Sequence, residues 1–350
     1  MKFKIEKAEK FKIDESATIR DFIKTLTVRP HREQFGLLFE RDGSLKASVT
    51  DGDVRRALIA GKTLDDRLHD CGCVNPQIVT ENYKGDISEI LSNVQGGVKF
   101  LPVVSMDNTV SHVIVELDEK IRKGTALIMA GGFGKRLGHL TYDTPKPLLE
   151  VGGQAIIERL INSFEKYNFA EVYISLHYLP QKLKSKLSRL QTDLDIKYIE
   201  EAVPMGTAGA LGLLNHKVSK QVVVVNGDVV SDVDFFALKK FHISAGNDVT
   251  LAVAEHRVNI PFGVVNYGSS GRFVNCDEKP EVTYAVLAGI YCFSIHVLSS
   301  IPDGVPTDMP DFINLLNKAG KKIGIFPIHE GWHDVGSPEQ LKTVRELLKK

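Results

Sequence analysis

Gly131, Gly132 and Gly134 stand directly after an apolar run at residues 126–130, with Arg136 and then Pro145-Lys146-Pro147 close behind. A buried strand that breaks into glycines lets backbone N–H groups approach an anion with no Cβ in the way, and Arg136 and Lys146 add fixed positive charge. That combination suits phosphoryl chemistry on a polyanion such as a triphosphate. A P-loop is excluded, because Lys135 is followed by Arg136 and not by the Ser or Thr that holds the phosphate-bound magnesium. A dinucleotide fingerprint matches only in part, since Leu137 stands where the third glycine belongs. On the loop alone, an ordinary glycine-rich turn remains open.

Two carboxylates extend the pattern. Asp228 closes Asn226-Gly227-Asp228 at the end of the apolar run Val222-Val223-Val224-Val225, and Asp334 lies in Gly331-Trp332-His333-Asp334-Val335-Gly336. A carboxylate at the tip of a buried strand has fixed geometry, and magnesium takes one or two such groups plus phosphate oxygens and water. Each has a plainer reading: Asn-Gly-Asp is strong turn chemistry, and Asp334 alone reads as a loop residue before a helix.

The elements that must position these groups follow from periodicity. From residue 124 onward strands and helices alternate, which predicts an α/β fold with a Rossmann-like, mainly parallel sheet. A helix is expected over 155–167, and strands over 171–176, 196–199, 222–225 and 323–328. Ligands of such sheets gather at the carboxyl ends of the strands, where Asp228 stands. Before residue 120 the pattern differs. Strands at 34–39 and 45–49 flank the turn Asp42-Gly43, and a helix follows at 53–60. A second helix at 86–94 precedes strands at 100–104 and 110–115 around Asp107-Asn108. Two such units imply an internal repeat in which neither half buries its apolar face alone. The charged junction at 120–124 divides the chain into domains 1–121 and 122–350.

Composition sets the context. The 350 residues carry 44 Lys and Arg against 44 Asp and Glu, so the net charge is zero and no general attraction to nucleic acid or acidic membrane is expected. Cys71, Cys73, Cys276 and Cys292 are too sparse for a disulfide framework, and Cys71-x-Cys73 lacks a second zinc-ligand pair. No apolar run has signal-peptide or membrane-span length, so a cytoplasmic protein is expected.

Roughly residues 10–120 resemble a pair of CBS domains, a Bateman module. The resemblance is carried by the segment from Asp42-Gly43 through Thr50-Asp51-Gly52-Asp53-Val54. It implies that Thr50 and Asp53 grip the ribose of a regulatory adenine nucleotide. In the second copy Asp118 is kept, while Val115 stands where the Thr belongs. Helix capping by Thr50 and Asp53 is the equally physical alternative. Such modules often pair, which implies a homo-oligomer.

From about residue 124 the chain resembles the sugar-1-phosphate nucleotidylyltransferases, a GT-A-like fold. The ordered matches are the glycine loop with Arg136, Pro145-Lys146-Pro147, Pro204-Met205-Gly206-Thr207-Ala208-Gly209, Asn226-Gly227-Asp228, Glu278-Lys279-Pro280, Ala288-Gly289-Ile290-Tyr291 and Asp334-Val335-Gly336. The resemblance implies that Ala130, Gly131, Gly132, Gly134, Gly206, Thr207 and Ala208 bind the nucleotide. It implies that Arg136, Lys146, Asp228 and Lys279 serve catalysis, and that Asp228 and Asp334 hold Mg2+. Gly263, Glu278, Lys279 and Gly289 are implied to bind the sugar. Substrates would be a nucleoside triphosphate and a sugar 1-phosphate.

The Pro-x-Gly-Thr-Ala-Gly form is similar to guanylyl-transferring members, which implies GTP. A CBS pair ahead of this domain is most similar to the bacterial glucosamine-1-phosphate guanylyltransferases of legionaminic acid biosynthesis. Mannose or heptose 1-phosphate, another triphosphate, an inactive nucleotide-sensing regulator and a dimerising scaffold remain open. Plainer readings also stand for several residues: a solvated turn for Glu278-Lys279-Pro280, packing for Trp332, and satisfied polar groups at a strand end for His177 and Tyr178.

Overall fold

The structure, a computed structural model, describes residues 2–29, 33–72, 74–94, 98–107, 109–117, 124–214, 218, 220–302 and 304–349. Cys73, Asn108, Asp118 and residues 120–123 of the expected charged junction lie outside the described residues.

The N-terminal part contains β1 (Lys2–Lys7), α1 (Ile19–Thr27), β2 (Phe35–Phe39), β3 (Leu45–Thr50), α2 (Asp51–Ile59), β4 (Val79–Thr80), α3 (Ile87–Asn93), β5 (Phe100–Val104) and β6 (Val110–Leu117). Helices α1 and α2 each start in a reciprocal capping box, Thr18 with Asp21 and Thr50 with Asp53, which satisfies amide groups that the first helical turn leaves unpaired. The expected repeat is visible in the pairing. A parallel bridge between Lys12 and Leu37, α1 and the β2–β3 hairpin are echoed by the parallel β4–β5 pair, α3 and the β5–β6 hairpin. The halves share one aromatic stack, in which the Phe35 ring lies 4.3 Å from Phe11 and 3.9 Å from Phe100. Neither half could cover Phe35 by itself.

The second part runs through β7 (Gly124–Met129), β8 (Glu150–Val151), β9 (Gln154–Ala155), α4 (Ile156–Lys166), β10 (Phe169–Leu176), α5 (Pro180–Leu187), β11 (Asp195–Glu200), α6 (Gly206–Gly212) and β12 (Gln221–Asn226). It continues with β13 (Val229–Ser231), α7 (Phe235–Ser244), β14 (Val249–Asn259), β15 (Gly263–Tyr267), β16 (Phe273–Glu278), β17 (Glu281–Ser294), α8 (Met309–Lys318), β18 (Ile323–Pro327), β19 (Trp332–Asp334) and α9 (Pro338–Leu347). Seven strands form one sheet in the order β11-β10-β7-β12-β17-β14-β18. Strand β17 is antiparallel to both neighbours and the other pairs are parallel, so the sheet is mixed but mainly parallel.

Successive strand residues point to opposite faces, and both faces are covered. Ile128, Val223 and Val225 join a core with Ile157, Phe164 and Phe235 on one face. Leu127, Val222 and Val224 join Leu211, Phe293 and Phe312 on the other. That double burial explains why β12 is valine throughout its centre. Among the described residues no helix is long and apolar enough to cross a membrane.

Candidate active site

Strands β7 and β12 run in register to their carboxyl ends, where Asn226 lies opposite Met129. The chain leaves β7 as the glycine loop and β12 as a turn, and the Gly227 N–H donates to the Met129 carbonyl at 2.9 Å. A Cβ at Gly227 would stand 2.8 Å from that oxygen, so glycine is what lets the turn close against the loop. Asp228 is thereby placed beside the loop. Lys146, which opens a short turn after Pro145, reaches it and ion-pairs with Asp228 Oδ2.

Asp334 arrives from the far end of the chain. Strand β19 is antiparallel to β13 with Asp334 opposite Val229, and the Val335 N–H donates to the Asp228 carbonyl at 3.1 Å. Asp228, just before β13, and Asp334, the last residue of β19, therefore lie at the same end of one ribbon. Burial raises the Asp334 carboxyl above its ordinary range, and the negative charge of Asp228 raises it further against the opposing pull of Lys146 and Arg136. Oδ1 of Asp228 and Oδ1 of Asn226 are buried without a hydrogen-bond partner. Two mutually repelling carboxylates with an orphaned oxygen fit a hard divalent cation such as Mg2+. Among the described residues no group of three or more His, Cys, Asp or Glu is arranged to hold a metal, so phosphate oxygens and water would have to complete the shell.

Two adjoining clefts meet at these groups. One, of about 280 Å³, is lined by Ala130, Gly131, Gly132 and Gly134 of the loop, by Glu201, and by Gly206 and Thr207. The other, of about 450 Å³, is lined by Arg136, Gly289, Trp332 and Asp334. Gly134, Lys146, Thr207, Asn226 and Asp228 line both. The two clefts therefore join a side lined by both cations and carboxylates to the side lined by the glycine loop, across the Lys146–Asp228 pair.

Supporting contacts hold the loop in place. Thr141 Oγ1 donates to the Gly134 carbonyl at 3.0 Å, and Tyr178 Oη reaches the carbonyls of Thr141 and Tyr142 at 3.1 and 2.8 Å. His177 Nδ1 lies 2.9 Å from the Glu201 carbonyl. His177 and Tyr178 are thus satisfied by backbone, as the plainer reading has it, and Tyr178 also straps the loop. Trp332 both packs and lines the second cleft, its Nε1 donating to the Ala288 carbonyl at 2.8 Å.

Gly206 has φ of +76°, and a Cβ there would meet the Thr307 carbonyl at 2.5 Å. The Thr207 hydroxyl contacts Asp308 Oδ1 at 3.3 Å and accepts from the Met309 N–H at 2.7 Å, so it ties α6 to α8.

Not every expected residue reaches the clefts. Ala208 is fully buried in α6 beneath Thr207. Gly263 and Glu278 face each other on the exposed β15–β16 hairpin, and Lys279 follows with φ of +48°, its N–H donating to the Phe262 carbonyl at 3.3 Å. None of these three lines either cleft, whereas Gly289 does. Conversely, Glu201 and Asp308 escape motif reading. Glu201 Oε2 accepts from the Met205 N–H at 3.1 Å, and Oε1 faces Gly131, 2.8 Å from where a Cβ would be. Its position just past a predicted strand, at the carboxyl edge of the sheet, was the available signal.

In the N-terminal part, Thr50 and Asp53 do cap α2. Asp53 Oδ2 accepts from the Thr50 N–H at 2.8 Å and its hydroxyl at 2.6 Å. Both residues also line a cavity of about 360 Å³ whose opposite wall is α7, through Phe236, Ala237 and Phe241.

A family model described as "Nucleotidyl transferase" matches residues 125–350. The mannose-1-phosphate guanylyltransferase catalytic subunit beta of Dictyostelium discoideum is 34% identical over 221 residues, covering 61% of this chain and 61% of that protein. A putative mannose-1-phosphate guanyltransferase of Sulfolobus acidocaldarius is 30% identical over 229 residues, covering 64% and 63%. The chain thus spans about three fifths of the length of the curated relatives it matches. HddC from Yersinia pseudotuberculosis, solved alone and complexed with GMP-PN, shares the fold with a TM-score of 0.51 at 22% identity, covering 65% of this chain and 100% of that one. With the match spanning the whole segment that carries the glycine loop, Lys146, Asp228 and Asp334, the chain belongs to the nucleotidyl transferase family.

Proposed function

We propose that the protein is a sugar-1-phosphate nucleotidylyltransferase that uses GTP. A phosphate oxygen of the sugar 1-phosphate attacks the α-phosphorus of the triphosphate in line, the new P–O bond forms as the bond to the β-phosphate bridge breaks, and pyrophosphate leaves. The observation that carries this reading is the convergence of Arg136, Lys146, Asp228 and Asp334 on clefts continuous with the glycine loop. Two anions must be brought together, and repulsion is the main obstacle. Arg136 and Lys146 offset it by placing charge where negative charge must accumulate, while the loop and the Gly206 turn fix orientation. A Mg2+ held by Asp228 and Asp334 would add charge neutralisation when bound. Lys279 and Glu278 would contact the sugar phosphate and sugar hydroxyls only if the β15–β16 hairpin leans over the second cleft.

Guanine is favoured by Glu201. The Watson–Crick edge of guanine presents N1–H and N2–H donors side by side, and a carboxylate oxygen facing the nucleotide cleft accepts such donors well. For the sugar, the N-terminal module supports glucosamine 1-phosphate and a place in legionaminic acid biosynthesis. The guanylyltransferase relatives favour mannose 1-phosphate as the second reading. We read the N-terminal part as a CBS pair that takes an adenine nucleotide in the cavity beside Thr50 and Asp53, in a cytoplasmic homo-oligomer. Calorimetry with AMP and ATP, and light scattering, test those two points.

The deciding experiment incubates the protein and magnesium with nucleoside triphosphates crossed with sugar 1-phosphates and identifies products by mass. A GDP-hexosamine with pyrophosphate is expected. Absence of any nucleotide sugar would overturn the reading.

A further inference from the structure

Arg55, in the middle of α2, is fully buried at the junction of the two parts of the chain. Its Nε donates to Asp51 Oδ2 at 2.7 Å and its Nη2 to Glu330 Oε1 at 2.9 Å, while Nη1 donates to the Pro327 carbonyl. The guanidinium lies 3.7 Å over the Phe326 ring. His329 Nε2 adds a contact to Asp51 Oδ1 at 3.0 Å. One helix of the N-terminal part thus grips Phe326, Pro327, His329 and Glu330 together. Burial by itself would raise the carboxyls of Asp51 and Glu330, but Arg55 and His329 together outweigh it and hold both below their ordinary range.

The gripped segment is the end of β18 and the connector from it to β19, and Glu330 precedes Asp334 by four residues. Beyond the grip the connector has one course. The Asp232 N–H donates to the Gly331 carbonyl at 2.9 Å, β19 pairs with β13, and Trp332 is pinned to Ala288. The two-stranded ribbon that carries Asp228 and Asp334 at one end therefore abuts the N-terminal part at its other end. Strand β18 holds the segment as far as Ile328, whose N–H donates to the Val253 carbonyl at 2.8 Å, but a cavity of about 700 Å³ borders His329, Glu330 and Gly331, which leaves the clasp to set the connector's position there. Desolvating a guanidinium and two carboxylates is costly, and apolar side chains of similar volume often stabilise as well or better. A buried clasp at this place is accordingly better suited to fixing geometry than to adding stability.

We propose that Arg55 is a positioning residue for the candidate active site: by clamping residues 326–330 it sets the spacing of Asp334 from Asp228 and hence the affinity of the pair for a divalent cation. This rests on the reading of Asp228 and Asp334 as cation ligands, and it makes the N-terminal part a determinant of the site it does not itself line.

The chain's single tryptophan, Trp332, sits between the clasp and Asp334 and supplies a direct probe. Full-length Arg55→Met, Arg55→Lys and the triple variant Arg55→Met/Asp51→Asn/Glu330→Gln would be compared with wild type well below their melting temperatures. The readouts are Trp332 emission and Mn2+ binding by electron paramagnetic resonance, without substrates. The expected result is a changed Trp332 emission and about tenfold weaker Mn2+ binding in Arg55→Met and in the triple variant, with partial recovery in Arg55→Lys. The triple variant leaves no buried carboxylate unpaired, so it keeps the test open where Arg55→Met fails to fold. Wild-type emission and Mn2+ affinity in either folded variant would overturn the proposal. A triple variant that cannot fold would also overturn it, by assigning the clasp to stability. Wild-type protein that binds no Mn2+ would instead refute the cation-ligand reading, and neither readout depends on turnover.

Discussion

Lys146 and Asp228, separated by 82 residues, form an ion pair across the cleft where the glycine loop meets the β12 turn. The pair is half-buried, so each member holds the other at a defined position in the absence of substrate.

Replacing Lys146 by Ala removes a preorganised cation at the point of charge accumulation. Turnover should fall by about 10²-fold or more, with circular dichroism unchanged. Asp228→Asn should match it. Near-normal turnover by either variant would remove both residues from the chemistry.

Burial makes the charge of Asp334 costly, and repulsion from Asp228 adds to that cost. Asp334→Asn should therefore melt higher than wild type in chelator, while losing most turnover. Magnesium should narrow the gap by stabilising wild type alone. Equal melting temperatures in chelator would show that the repulsion has no energetic weight.

Glu201→Gln replaces a carboxylate oxygen by an amide that donates or accepts but cannot serve two guanine donors equally. For GTP, kcat/KM should fall by about tenfold to a hundredfold, with a smaller loss for ATP. Equal losses for both bases would place Glu201 in loop support through Met205 alone.

His242 is buried, with Thr250 and Ser294 hydroxyls each 3.0 Å from a ring nitrogen, and burial lowers it to about 4. The unfolded chain binds this proton near 6.5 whereas the fold resists it until about 4. Stability is therefore complete above 6.5 and falls as pH drops through that window, by roughly 3 kcal/mol. Denaturant midpoints from pH 7 to 4 should show this slope, and His242→Gln should flatten it.

Much of the site is legible from local sequence because it depends on backbone requirements that single residues declare. Gly134 and Gly227 announce a loop and a turn, the valines of β12 announce a strand covered on both faces, and Thr50 with Asp53 announces a cap. Glu201 and Asp308 belong to no motif: one matters through an oxygen that faces Gly131, the other through its contact with the Thr207 hydroxyl on a separate helix. Glu278, Lys279 and Gly263 show the converse. Glu278 and Lys279 fall in an ordered motif and Gly263 is implied beside them, yet the exposed hairpin keeps all three from lining either cleft.

By itself the sequence determined the alternation of strands and helices, the glycine loop, and the residue types available for phosphoryl chemistry, because periodicity and turn preference act over a few residues. Only the tertiary structure decided that Asp334 stands opposite Val229 on the Asp228 ribbon, and that Arg55 grips Glu330 from another part of the chain. Such contacts join segments up to 275 residues apart, and their geometry comes from strand register and buried charge pairing that no local pattern encodes.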